Sequence, residues 1–344
     1  MGIRRVIERI GGLRAALAGH EGLLWWLHSA YALALGVVFM WLGARNFLWL
    51  RLAAIHVIVI WSASLLLSNF VDRPDHTSVW WHRLRLVINY VTKNFYQQIL
   101  FFILPIYAGS ATFPSRNIIF VAVLGASAII STLDIVYDRH LSRRRGLNAL
   151  FFAFNLFAAL AVAMPILWSI SNAWALRLAS LGATIGYVTI ALPPTDLARK
   201  RTWKAVAAGG AVLLVLIQFL LPYVPPAPLR LTDTVFGTGF DRRRFEATGQ
   251  MSDLPPGWTG RLYVVTSLHA PLGLKDAVEI RWIRGQELLW ASKSHDFVGG
   301  RERGFRLWSS VPISPATQTG TVRLEVVTAS GQLIGRVYLP NRDQ

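Results

Sequence analysis

The chain has 344 residues, of which 53% are hydrophobic and only 15% charged. Soluble domains carry about 25% charged residues, so a bilayer-embedded portion is predicted. Cysteine is absent, which excludes disulfides, thiolate metal sites, iron–sulfur ligation and Cys nucleophiles.

A net charge of +17 raises the question of nucleic acid, but its distribution points elsewhere. Residues 1–226 carry 20 Lys/Arg against 7 Asp/Glu, whereas residues 227–344 carry 15 against 11. The excess is membrane-flanking charge. It suits the anionic lipids of an inner leaflet, where each nearby Lys or Arg contributes about 1 kcal/mol. Lipids are therefore expected partners and nucleic acid is not.

Residues 1–22 read as an amphipathic helix on the cytoplasmic membrane surface. Ile3, Val6, Ile10, Leu13 and Leu17 form one stripe, with Arg4, Arg5, Glu8 and Arg9 largely off it. Residues 23–224 then read as a membrane domain. Its apolar segments are Leu23–Ala44, Phe47–Phe70, Val91–Ala111, Asn117–Tyr137, Leu147–Ile170, Trp174–Leu192 and Ala205–Val224. Each approaches the roughly 20 residues that a helix needs to cross the hydrocarbon core. The third is interrupted by Lys93, Asn94, Gln97 and Gln98, with Pro105 as the expected kink. Trp80–Lys93 reads as a second cytoplasmic surface helix.

Charge sets the direction of these segments. With a cytoplasmic N-terminus, every Lys and Arg of residues 1–226 except Arg45, Arg51, Arg116 and Arg177 faces the cytoplasm. An odd number of spans then carries residues 231–344 into the periplasm.

Pro225, Pro226 and Pro228 make residues 225–230 a stiff linker. Beyond it the period changes to two. Val278, Ile280 and Trp282 alternate with Glu279 and Arg281, and Val322, Leu324 and Val326 alternate with Arg323 and Glu325. Ser330-Gly331 marks a hairpin turn. About six to eight strands are expected. The predicted architecture is thus an α-helical integral membrane bundle of about seven spans followed by an all-β, immunoglobulin-like sandwich.

The C-terminal half resembles a bacterial domain family of unknown function. The matching residues are Arg281-Trp282, Gly285, Phe305–Ser310, Gly320–Leu324 and Ser330–Gly335. The family pattern prefers His before the first Trp and Trp two residues after Gly320. Arg281 and Val322 stand there instead, so no role of that His or Trp carries over. The N-terminal half looks like the multi-span region joined to this domain in some proteobacterial proteins. The resemblance implies an inner-membrane protein of a Gram-negative bacterium, without catalytic residues.

Several constellations bear chemistry. Asp134 and Asp138 share a helix face, with His140 close by, a set suited to a divalent metal or a proton relay. The alternative is that Asp134 pairs with an arginine of the following loop and seats the helix end. Asp72, Asp75, His76 and His82 form a second such set at an ordinary turn. His28 and His56 lie inside the first two apolar segments, where imidazole suits a relay, haem ligation or interhelical bonding. Asn94, Gln97, Gln98 and Asn155 suit either a polar cavity or hydrogen bonds between helices. Ser294-His295-Asp296 names triad residue types, but strand neighbours point to opposite faces. Gly237-x-Gly239 and Gly299-Gly300 read as turns.

Trp308 is out of phase with Phe305 and Leu307, so it is expected at the surface beside Arg301, Arg303 and Arg306. Such a surface binds a protein partner, an anionic polymer or the outer leaflet, unless a loop shields the ring. No catalytic residue, metal or cofactor is assigned. The reading reached is a non-enzymatic envelope protein whose β-domain binds a periplasmic partner. The alternatives are a transporter or lipid-handling protein, and a membrane enzyme using Asp134, Asp138 and His140.

Overall fold

The computed structural model describes residues 99–340 other than 134–135, 138–140, 142–143, 193–198, 256 and 315–320, with isolated helical residues between 30 and 59. The amphipathic helix, the first two apolar segments and the Trp80–Lys93 helix lie outside the described residues.

Five helices come first: α1 Ile99–Ser110, α2 Asn117–Thr132, α3 Arg145–Trp168, α4 Asn172–Ala191 and α5 Lys200–Leu220. The expectation of about seven spans is overturned here. Among the described residues only two helices are long and apolar enough to cross a membrane, Gly146–Trp168 and Asn172–Ala191. α2 stops at Thr132 after 16 residues, well before the expected Tyr137. There the Ser131 and Thr132 hydroxyls donate back to the Ala128 and Ile129 carbonyls, and Leu133 leaves helical geometry. The described part of α1 is Ile99–Ser110, and α5 opens on Lys200 and Arg201.

α3 and α4 pack most closely. Gly182 and Gly186, one helical turn apart, present bare backbone to α3. A Cβ on Gly186 would come within 2.7 Å of Phe152 and 2.8 Å of Leu156, and one on Gly182 within 2.7 Å of Leu160. Small residues at this spacing let helices approach closely without a hydrophobic drive between them. α1, α2 and α3 meet through rings: Phe120 lies 4.9 Å from Tyr107 and 5.5 Å from Phe154. The Tyr107 hydroxyl donates to the Ala158 carbonyl at 2.9 Å.

Nine strands follow: β1 Arg230–Asp241, β2 Glu246–Met251, β3 Gly260–His269, β4 Lys275–Arg284, β5 Glu287–Ala291, β6 His295–Val298, β7 Phe305–Ile313, β8 Val322–Thr328 and β9 Leu333–Leu339. The chain is therefore a mixture of helices and antiparallel sheets. It has more strands than expected, and Gly237 and Gly239 lie within β1, where close contact with Thr248 of β2 leaves no room for a side chain. One sheet has the order β2-β1-β3-β7, the other β5-β4-β8-β9, with β6 also on β4. Residues alternate inward as the period of two demands. Leu262, Val264 and Leu268 of one sheet share a core with Val278, Ile280, Trp282, Leu324 and Val326 of the other. Trp282 is fully buried; its indole N–H donates to Ser309 Oγ at 3.0 Å and its ring meets Phe236 at 5.9 Å.

The sheets are fastened to one end of the helices. The Gln332 amide, fully buried, donates to the Val224 carbonyl at 2.9 Å and accepts from the Asn172 amide. The Asn172 backbone N–H donates to Asp276 Oδ2 at 2.9 Å. Ser171, the N-cap of α4, makes no side-chain cap bond, so Asp276 serves the exposed N–H end of the helix from another part of the chain. Arg336 donates to the Pro114 carbonyl at 2.8 Å and to Glu325 at 2.7 Å. Connections 111–116, 169–171 and 221–229 thus share the end that touches the sheets. Leu133, Arg144, Leu192 and Arg199, at the opposite ends of α2, α3, α4 and α5, fall away from it.

Two outcomes follow from this packing. Gly186→Leu should lower stability by about 1–3 kcal/mol through overpacking against Phe152 and Leu156, and Gly182→Ala by less, read from thermal unfolding of the solubilised chain. Burial pushes the Asp276 carboxyl up, opposed by the N–H groups of Asn172 and Ala277. A raised pKa favours the protonated folded state. Its stability contribution is therefore greatest below the ordinary carboxylate value and falls as pH rises through the raised one. Asp276→Asn should flatten that part of a stability-versus-pH curve.

Candidate functional site

The most concentrated chemistry outside the core lies on the outer face of the β2-β1-β3-β7 sheet. β1 and β2 form a hairpin with its turn at Asp241–Phe245. Asp241 Oδ1 accepts the backbone N–H groups of Arg243 at 2.8 Å and Arg244 at 3.3 Å, which closes the turn. Phe245 takes a left-handed conformation with φ 56°. Three consecutive arginines, Arg242, Arg243 and Arg244, are thereby left exposed at the tip.

The tip is held against edge strand β7. Arg306 Nη1 donates to the Arg244 and Phe245 carbonyls, each at 3.3 Å. Trp308 stacks on Phe240 with ring centres 4.5 Å apart and 12° between planes, and Phe240 meets Phe245 edge-on at 5.2 Å. Trp308 remains 39% exposed. The result is a half-exposed ring on a face that Arg306 ties to the backbone of the three-arginine tip. Guanidinium forks match carboxylate, phosphate and sulfate oxygens, and the ring supplies a flat apolar platform.

Arg301 and Arg303 are both exposed in the turn before β7, and Arg301 lies 4.9 Å over the Phe305 ring. Thus Arg306 and Trp308 come together with the hairpin, while Arg301 and Arg303 sit at the lower end of β7. The hairpin arginines escape the sequence reading, although the signal is three arginines in a row between two alternating stretches.

A family model now bears on the chain. That of a family of unknown function, DUF5924, matches residues 15–257. The chain belongs to this family. Neither a curated protein nor a solved structure matches it. The DUF5924 match takes in all five described helices and the whole β1–β2 hairpin, and it ends before β3. The motifs between Arg281 and Gly335 that carry the resemblance noted above lie beyond it.

Asp134, Asp138, His140, His28, His56, Asn94, Gln97 and Gln98 lie outside the described residues, as do Asp72, Asp75, His76 and His82. Among the described residues no His, Asp and Glu gather into a metal-holding group. Asn155 is 2% exposed in the middle of α3, and neither side-chain atom has a hydrogen-bond partner. His295 and Asp296 are consecutive in β6 and both exposed. They pair with Val278 and Ala277 of β4.

Trp308→Ala should free the hairpin at a cost of about 1 kcal/mol. Trypsin should then cut at Arg242–Arg244 faster than in the parent chain, while the circular dichroism of the sheets stays unchanged.

Proposed function

We propose that this DUF5924 protein is an integral membrane protein whose helices anchor the β-domain outside the cytoplasm. There the hairpin patch binds an anionic polymer in the envelope. The observation that carries the membrane part is the outward face of the helices. Ile119, Val123 and Ile129 of α2, Leu150 of α3, Leu181 of α4 and Val212, Val215 and Phe219 of α5 are all exposed. Monomeric soluble proteins rarely expose contiguous apolar patches of this kind, and lipid is the solvent that suits them.

Charge supports the orientation. The connections at the helix ends away from the sheets are arginine- and lysine-rich, as cytoplasmic loops are. The sheets dock at the other end, which corresponds to the periplasm of a Gram-negative cell. The polymer part rests on Arg242, Arg243, Arg244 and Arg306 near Trp308, on a turn whose backbone is held by Asp241 and Arg306. Acidic polymers would be drawn to it electrostatically and held by bidentate contacts.

Asn155 favours a second reading, a polar site among the helices that serves lipid handling or transport. Its unpartnered amide is costly in an apolar bundle, and a polar ligand would satisfy it.

Two measurements test the first reading. The chain has no native cysteine, so a single Cys reports its own location. Glu287→Cys should react with a membrane-impermeant maleimide in spheroplasts, and Lys200→Cys only after lysis. The reverse pattern would end the proposed orientation. Heparin, a sulfated glycan probe, should bind the reconstituted chain in a salt-dependent way. The triple change Arg242→Glu, Arg243→Glu and Arg244→Glu should weaken it at least tenfold, and unchanged binding would reject the hairpin as the site.

A further inference from the structure

Two segments of the β-domain stand beside the helix ends with their apolar side chains outward. Leu272, in the turn between β3 and β4, is 65% exposed, and Val298, at the end of β6, is 51% exposed. The segments are bound to each other. Gly299 N–H donates to the Leu274 carbonyl at 2.8 Å and Gly300 N–H to the Ala270 carbonyl at 3.0 Å. A Cβ on Gly299 would fall 2.1 Å from the Pro271 carbonyl oxygen, so only glycine permits this approach. Exposure of Leu272 and Val298 is therefore built into a well-tied corner.

The corner also has a fixed height. A Cβ on Gly273 would lie 2.8 Å from Ser169 Oγ, so the turn abuts the residue that ends α3. The apolar stretch Gly146–Trp168 has 23 residues and rises about 34 Å, slightly more than a hydrocarbon core of about 30 Å. Trp168 then falls at the edge of the bilayer. Trp168 and Trp174 are both more than half exposed, and Arg177 lies 5.1 Å over the Trp174 ring. Tryptophans at a helix end beside a cation are the side chains that settle at headgroup level.

We infer that the Leu272–Val298 corner is a membrane-contact surface: it rests in the outer headgroup layer, with both side chains inserted and Arg301 facing lipid phosphate. The occupant is lipid because the corner continues the tryptophan belt at the same height. The inference depends on the membrane reading above and adds to it that the β-domain lies against the bilayer, whereas a tethered domain would stand clear of it.

Single cysteines at Leu272, Val298, Val212 and Glu287 test it in the full chain. Glu287 is at the far end of β4, about 30 Å from Lys275. Each variant would be labelled with bimane and reconstituted in phosphatidylethanolamine–phosphatidylglycerol vesicles, with quenching by lipids carrying a nitroxide near the headgroup or deep in the chain. The Leu272 and Val298 labels should be quenched most by the shallow nitroxide, the Val212 label by the deep one, and the Glu287 label by neither. If Leu272 and Val298 behave like Glu287 while Val212 is quenched, the corner does not touch lipid and the membrane reading stands. If Val212 is unquenched as well, both fall.

A label can drive insertion by itself, so unlabelled protein supplies the second readout. The amides of Leu272, Gly273 and Leu274 in vesicles should exchange at least fivefold more slowly in the parent chain than after Leu272→Asp with Val298→Asp. Equal exchange would overturn the inference.

Discussion

The hydrogen bonds around Asn172 and Gln332 decide how the two halves of this chain sit together. A buried amide left unpaired costs about 1–3 kcal/mol, and here the amides of both residues are turned toward each other across the boundary. Gln332 also reaches the Val224 carbonyl, and Asp276 meets the N–H end of α4. The β8–β9 turn, the start of β4, the start of α4 and the exit from α5 are thereby locked to one geometry. The height of the Leu272 corner and the placement of the arginine hairpin both follow from that lock.

Apolar runs and alternation were legible from residues alone. The runs Leu147–Ile170 and Trp174–Leu192 coincide with α3 and α4 to within a residue or two, although Pro165 lies inside α3 and the Ser180, Thr184 and Thr189 hydroxyls donate back to carbonyls within α4. Val278, Ile280 and Trp282 point inward as their spacing predicts. Length was not legible. α2 ends at Thr132, where the Ser131 and Thr132 hydroxyls donate to the backbone and Leu133 leaves helical geometry, a boundary that hydropathy does not register. Among the described residues only α3 and α4 are long and apolar enough to cross a membrane.

The site was harder to read for a different reason. Trp308 was marked by its phase in the strand, but its partner Phe240 is distant in sequence and meets it only because the hairpin bends back onto β7. Arg306 likewise looked like one of three free cations, and its Nη1 turns out to hold the Arg244 and Phe245 carbonyls. The pair Gly182 and Gly186 carried a small-x-x-x-small signal in plain view, whose meaning needed the facing Phe152 and Leu156 to become visible. Periodicity reports which face of an element is apolar; it is silent on which element that face will meet.

The cap on α4 has a temporal side. Asp276 lies 104 residues downstream of the N–H group it serves. During synthesis, α4 leaves the ribosome and pairs with α3 long before β4 exists. The N–H group at its leading end cannot meet Asp276 until β4 has been made. The cap can therefore close only after the chain has been made at least as far as β4, so this end of α4 is completed late.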